Sequence, residues 1–338
     1  MKRVLRVLLF ASLVMLLALP VFAGGGGEAG GAPSKIELVG GSMLPDGHIF
    51  FRTTQKFAEL MNTNYNGSIP VSISLHHSGT LGTEKDSIEF MIQGTAVDFY
   101  VISPAWAATW DKTAPIIDAP FLFKSVEQWQ RCLDQGALKP LEDLMLKTGV
   151  RFLGYGGGSS RNLVSKIPAY TMADFPKIQL RVQGSPVHQK SFTAVGFKAT
   201  PLDYMEVYNA IKTGVIDALE NESAGMESMK FYEVAPYWIL TNHQISTRIL
   251  AFSEKRFQSF PKEVQDAILK SGKEAAAWHV ENEIIEAEQI VDRLAKNFGL
   301  KVLPFDNTEM RAKALPVVRE YAAEIGAVAV FDKIQSID

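Results

Sequence analysis

The chain has 338 residues and a single cysteine, Cys132. One cysteine excludes an internal disulfide and every cysteine-based metal site, and Cys132 itself reads as a small buried hydrophobe beneath a helix. Excess positive charge is also lacking. Thirty-four Lys+Arg stand against 37 Asp+Glu, a formal net charge of −3, whereas a nucleic-acid binder needs a basic face to displace counterions from phosphates. Beyond the first 23 residues no window approaches 18 uninterrupted apolar residues, so the remainder is not expected to span a membrane. The motifs of common chemistries are missing too: there is no G-x-S-x-G elbow, no phosphate-binding G-x-x-x-x-G-K-[ST] loop and no H-E-x-x-H. What is there, 47% hydrophobic and 21% charged residues, is the composition of a globular protein, and the length suggests two domains.

The amino terminus reads as a secretory signal. Lys2, Arg3 and Arg6 precede the apolar stretch Val7 to Leu19, and Pro20-Val21-Phe22-Ala23 supplies the small residue required at a cleavage site. At 1.5 Å per residue that stretch spans about 20 Å, short of the roughly 30 Å hydrocarbon core, so cleavage is favoured over an uncleaved anchor. Removal of residues 1–23 leaves 338 − 23 = 315 residues and, with three cations gone, a net charge of −3 − 3 = −6. Position 24 is glycine rather than the cysteine of a lipoprotein, and residues 24–34, with six glycines, read as a flexible linker.

From Lys35 onward strand-like and helix-like segments alternate. Period-two patterns occur at 35–39, 71–75 and 178–182, with further strands at 97–102, 151–155, 248–252 and 300–305. Helical windows fall at about 48–63, 83–93, 126–147, 186–195, 203–213, 223–232 and 307–325. The alternation predicts an α/β fold with a sheet covered on both faces. Helix, glycine, then a short apolar strand with an aspartate near its start occurs twice, at Gly94 to Val101 and Gly214 to Leu219, which suggests two similar domains. Pro261 to Phe298 keeps helical apolar spacing for almost 40 residues, long enough to run along both domains; two helices broken at Ser271-Gly272 are the alternative. Gly156-Gly157-Gly158-Ser159-Ser160 reads as a close-approach loop or hinge. The adjacent His76 and His77 point to opposite faces of a strand and are expected at the surface.

Polar residues gather where strands reach their carboxyl ends, the usual ligand side of an open α/β sheet. Arg181 closes the strand Ile178 to Val182, and Gln183-Gly184-Ser185-Pro186 then opens a helix, a favourable place for an anion. Asn221 and Glu222 follow Ile216 to Glu220, and Arg161 follows the glycine-serine segment. Together they describe a cleft that captures an organic anion.

These segments resemble a known family. Glu206-Val207-Tyr208 followed by Gly214-Val215-Ile216-Asp217-Ala218-Leu219-Glu220-Asn221 is similar to the E-V-Y…G-x-x-D-G-x-E-N signature of the solute-binding proteins of tripartite ATP-independent periplasmic (TRAP) transporters, of the C4-dicarboxylate-binding DctP type. Leu81-Gly82-Thr83-Glu84, Ala119-Pro120-Phe121-Leu122-Phe123, Lys177 to Val182, Thr241-Asn242-His243 and Phe260-Pro261-Lys262-Glu263-Val264-Gln265 extend the resemblance over about 35–330. It departs from the pattern at Ala218, where glycine is usual, and at Gln179-Leu180 before the arginine.

The resemblance implies a periplasmic-binding-protein-like α/β fold, two domains around a ligand cleft linked by a long spanning helix, and closure about a hinge. The expected division places 35–158 with about 247–286 in domain I, and 159–246 with about 287–338 in domain II. It implies a periplasmic, monomeric binding subunit, not an enzyme and without cofactor or metal, that hands an organic acid to integral membrane TRAP subunits. Arg181 falls on the carboxylate-clamping arginine, Arg161 on the second cleft arginine, Asn221 on the orienting asparagine and Tyr204 on the aromatic before E-V-Y. Glu84, Ser103 and Ser42 match positions touching the distal part of the ligand. With Gln183 and His188 they favour a hydroxylated monocarboxylate, a uronate or aldonate. A C4-dicarboxylate, a 2-oxo acid, or an aryl acid held by Trp106, Tyr204, Tyr237 and Trp238 stays open, as do a sensing role and, remotely, a secreted hydrolase or lyase.

Overall fold

The computed structural model describes residues 35–338; the expected signal peptide and linker, 1–34, lie outside the described residues. Five elements come first: β1 (Ile36–Gly41), α1 (Ile49–Asn64), β2 (Val71–His76), α2 (Glu84–Gln93) and β3 (Phe99–Ile102). After two 3-10 turns come α3 (Val126–Asp134), α4 (Lys139–Thr148) and the long β4 (Val150–Ser165). The order β5 (Gln179–Val182), α5 (Pro186–Ala194), β6 (Lys198–Pro201), α6 (Val207–Thr213), β7 (Ala218–Asn221) then repeats the opening pattern. The chain ends with α7 (Ser223–Ser228), β8 (Tyr237–Ser253), α8 (Glu254–Gln258), α9 (Lys262–Phe298), β9 (Lys301–Pro304), α10 (Thr308–Glu324) and α11 (Val328–Ser336).

The nine strands of the described residues form one sheet, ordered β2-β1-β3-β8-β4-β7-β5-β6, with β9 also beside β8. Two parallel three-stranded units, β2-β1-β3 and β6-β5-β7, therefore flank the antiparallel pair β8-β4, which runs through both. The repeated glycine-to-aspartate segment has the same job in each unit. Gly94 and Gly214 end α2 and α6 in the left-handed conformation. Asp98 then accepts the Val39 N–H at 2.7 Å and Asp217 the Gln179 N–H at 2.9 Å, each tying the third strand to the first.

Three expectations change in detail. The helix expected over 126–147 is two, because Gly136 turns the chain at φ 63° and Pro140 restarts it in the first turn of α4. The glycine-serine segment 156–160 is no loop: pairing with β8 carries it through as strand, with register shifts between Gly157 and Ser160. Arg161 consequently lies within β4 rather than at a strand end. The 262–298 segment is one unbroken helix of 37 residues, about 55 Å long. Gly272 does not break it; that helix face lies so close to β4 that a Cβ there would run into Leu153. Arg52 braces α9 to α1 through a bidentate pair with Glu286 at 2.8 Å, and Arg293 braces it to α7 through Glu227.

Candidate functional site

The carboxyl ends of β3, β5 and β7 converge on a cavity between the two units. It measures about 350 Å³ including the space toward its mouth, at the small end of ligand cavities. Its wall contains Glu84, Ser103, Arg161, Arg181, Gln183, Tyr204 and Asn221, together with Met43, Leu44, Phe50, Trp106, Glu222 and Arg248. Seven of the expected ligand contacts thus meet in one place, with Glu222 and Trp106 beside them.

Three others lie elsewhere. Ser42 is buried in the turn after β1, where its Oγ accepts the Leu44 N–H at 3.1 Å. Trp238 sits in β8 opposite Val164 and faces the α9 side, beside Ile284 and Val291. His188 is buried on Gln244, 3.2 Å away, and does not line the cavity.

Three arginines reach the wall, and they differ in what holds them. Arg161 donates to Glu220 Oε2 at 2.6 Å, to the Glu220 carbonyl at 2.9 Å and to Glu222. Arg248 donates to both oxygens of Asp118 at 3.3 Å and to Glu222 at 3.2 Å. Burial disfavours both charges, but the adjacent carboxylates outweigh it and raise the pKa of each. Burial likewise opposes ionisation of Glu220, yet Arg161 and His243 hold its carboxyl well below the usual range.

Arg181 has no such partner. It is 1% exposed, its Nε donates to the Leu202 carbonyl at 2.9 Å, and its Nη2 is buried without any hydrogen-bond partner. Among the described residues no carboxylate forms an ion pair with it, and burial lowers its pKa. A buried guanidinium with an idle N–H is a receptor for an anion. Beside it the Tyr204 ring lies 5.4 Å from the guanidinium carbon. Asn221 Nδ2 donates to the Tyr204 hydroxyl at 2.7 Å, leaving that hydroxyl's own proton for another acceptor.

The opposite wall carries a carboxyl group without a cation. Glu84 opens α2 after a Thr83–Asp86 capping box, and its Oε1 accepts the Ser103 N–H at 3.0 Å. Burial pushes its pKa up to about 7, against the opposing pull of Arg248 and the Ser103 N–H. Across the cavity Ser103 Oγ lies 2.8 Å from Gln183 Oε1 and 3.0 Å from Asp118, so these two expected ligand contacts also touch each other.

Sequence reasoning missed Arg248, Asp118 and Gln244. Arg248 did leave a signal: it directly precedes the apolar run Ile249 to Phe252 on a strand buried on both faces, where a charge must find partners.

A mixed sheet shared by two like units, with a cavity walled by buried polar residues between them, is the architecture of a solute-binding protein. The family model described as bacterial extracellular solute-binding protein, family 7 (DctP) matches residues 40–324, and the chain belongs to that family, the solute-binding component of TRAP transporters. It is 38% identical over 307 residues, 90% of this chain and 92% of the relative, to a solute-binding protein of Sulfitobacter sp. strain NAS-14.1. Among solved structures it is similar to a TRAP periplasmic solute-binding protein from the same strain with bound α-D-taluronate, at TM-score 0.84 and 38% identity over 89% of this chain and 97% of that one. A Roseobacter denitrificans counterpart with bound β-D-glucuronate superposes at TM-score 0.83 and 26% identity, covering 89% of this chain and 100% of that one. The chain is therefore a binding protein rather than an enzyme, and among the described residues no helix is long and apolar enough to cross a membrane.

Proposed function

We propose that this protein captures a sugar acid, a uronate or aldonate, by its carboxylate and delivers it to the integral membrane subunits of a TRAP transporter. The observation that carries this reading is Arg181, a buried guanidinium whose Nη2 has no partner. The ligand carboxylate meets Arg181 and the free proton of the Tyr204 hydroxyl, with Asn221 fixing that hydroxyl. The ligand's hydroxyl groups meet Glu84 on the opposite wall, while Trp106 and Phe50 cover its apolar faces. Arg181, Asn221 and Tyr204 thus work as one group. Arg161, the second cleft arginine of the sequence reading, stands beside them in the wall, held by Glu220 and Glu222. A plain C4-dicarboxylate is disfavoured, because the other two arginines of the wall already hold carboxylates. The uronates seen in the two similar structures support the same ligand class.

The protein acts outside the cytoplasm, in the periplasm, after cleavage near Ala23, and as a monomer. Its two lobes, 35–158 with about 247–286 and 159–246 with about 287–338, rock about the shared strands β4 and β8 and the spine α9. Residues 116–141 and α11 share one apolar cluster across that division, so part of the boundary is a packed contact. A thermal-shift and calorimetric panel tests the reading: D-galacturonate and D-glucuronate should stabilise the protein and bind stoichiometrically without turnover, malate and succinate at least tenfold more weakly. No response to any sugar acid rejects it.

A further inference from the structure

We infer that Asp118 sets the preference of this cavity for acids with one carboxylate, by occupying Arg248, the guanidinium that would otherwise receive a second one. The inference rests on the sugar-acid reading and extends it to the exclusion of diacids.

Arg248 enters the wall from β8 with its guanidinium 5.5 Å from the Phe50 ring. Its Nη1 and Nη2 are committed to Asp118 and Glu222, while its Nε is buried without a partner. Glu222 is shared with Arg161, so Asp118 is the one carboxylate that serves Arg248 alone. Asp118 is fully buried, stands behind the wall rather than in it, and is held in place by Ser103 at 3.0 Å and by Gln244.

The charges decide the consequence. Arg161 and Arg248 already share three carboxylates, Asp118, Glu220 and Glu222, whereas Arg181 holds none. One incoming carboxylate meets the single arginine that lacks an acidic partner. A second carboxylate would meet a guanidinium already between two carboxylates, or Glu84, and would add uncompensated negative charge in a low-dielectric cavity. Asp118→Asn keeps the shape and an acceptor oxygen and leaves Arg248 with only a half-share of Glu222, free to receive a second ligand carboxylate.

The test is calorimetry on the purified protein with D-galacturonate and with galactarate, its six-carbon relative bearing a second carboxylate. Wild type should bind galacturonate at least tenfold more tightly than galactarate. In Asp118→Asn that ratio should fall by tenfold or more, chiefly through tighter galactarate binding, and Arg248→Gln added to the variant should restore it. The inference is overturned by a wild type that binds galactarate within threefold of galacturonate, a measurement independent of whether the variant folds. It is also overturned by an Asp118→Asn protein that keeps galacturonate binding with the ratio unmoved. A wild type that binds neither acid overturns the sugar-acid reading and this inference with it.

Discussion

At the scale of single residues the site is organised by what is paired and what is not. A charge buried without a counter-ion weakens the free protein and favours any ligand that supplies one. Arg181→Ala should therefore remove binding, by about 3–5 kcal/mol in calorimetry, while the melting temperature without ligand stays level or rises. Binding within threefold of wild type would reject the clamp. Glu84 gives a pH signature of its own. Its folded pKa, about 7, lies above the 4.5 of the unfolded chain, so folding favours the protonated form. The stability this brings is full below about pH 4.5 and is lost as pH rises to about 7. Glu84→Gln, which cannot ionise, should match wild type in thermal melts near pH 4.5. By pH 8 it should be more stable by up to about 3 kcal/mol. A difference that does not change with pH would show that Glu84 is not held above its ordinary range.

At the scale of elements, much of the fold was legible because local signals agreed with the tertiary arrangement. The spine α9 spans the residues expected from its apolar spacing, and both glycine-aspartate turns behave alike. What was not legible depends on partners distant in sequence. Three glycines and two serines carry no strand propensity, yet 156–160 is strand because β8 pairs with it across the middle of the sheet. The same distance hid Arg248, whose partners Asp118 and Glu222 lie 130 and 26 residues away. The position of Trp238 was not legible for a related reason: its aromatic character was visible, but the face of β8 on which it sits is set by the pairing with Val164. Gly272 makes the point testable. Propensity alone says that alanine in a helix interior stabilises by about 1 kcal/mol. Contact with Leu153 reverses the sign, and Gly272→Ala should lose about 1–3 kcal/mol in chemical denaturation.

At the scale of the whole molecule, two strands and one helix belong to both units, and polar contacts also join the two walls of the cleft. Ser103 at the end of β3 and Gln183 just after β5 make one such contact, 2.8 Å long, and Gln183 also approaches the buried Asp118 at 3.5 Å. These bonds join groups on opposite walls, so under the proposed hinge closure they form as the cleft shuts and bias the free protein toward the closed state. A hydrogen bond of this kind contributes about 0.5–1.5 kcal/mol. Its loss in Gln183→Ala should enlarge the open population and weaken sugar-acid binding about two- to tenfold, since apparent affinity scales with the closed fraction. Small-angle scattering separates this role from a direct ligand contact. A latch requires the ligand-free variant to have a larger radius of gyration than ligand-free wild type, and saturating D-galacturonate to bring both to the same compact value. If Gln183 served only to touch the ligand, the two ligand-free proteins would scatter alike and the whole loss would appear in the dissociation rate.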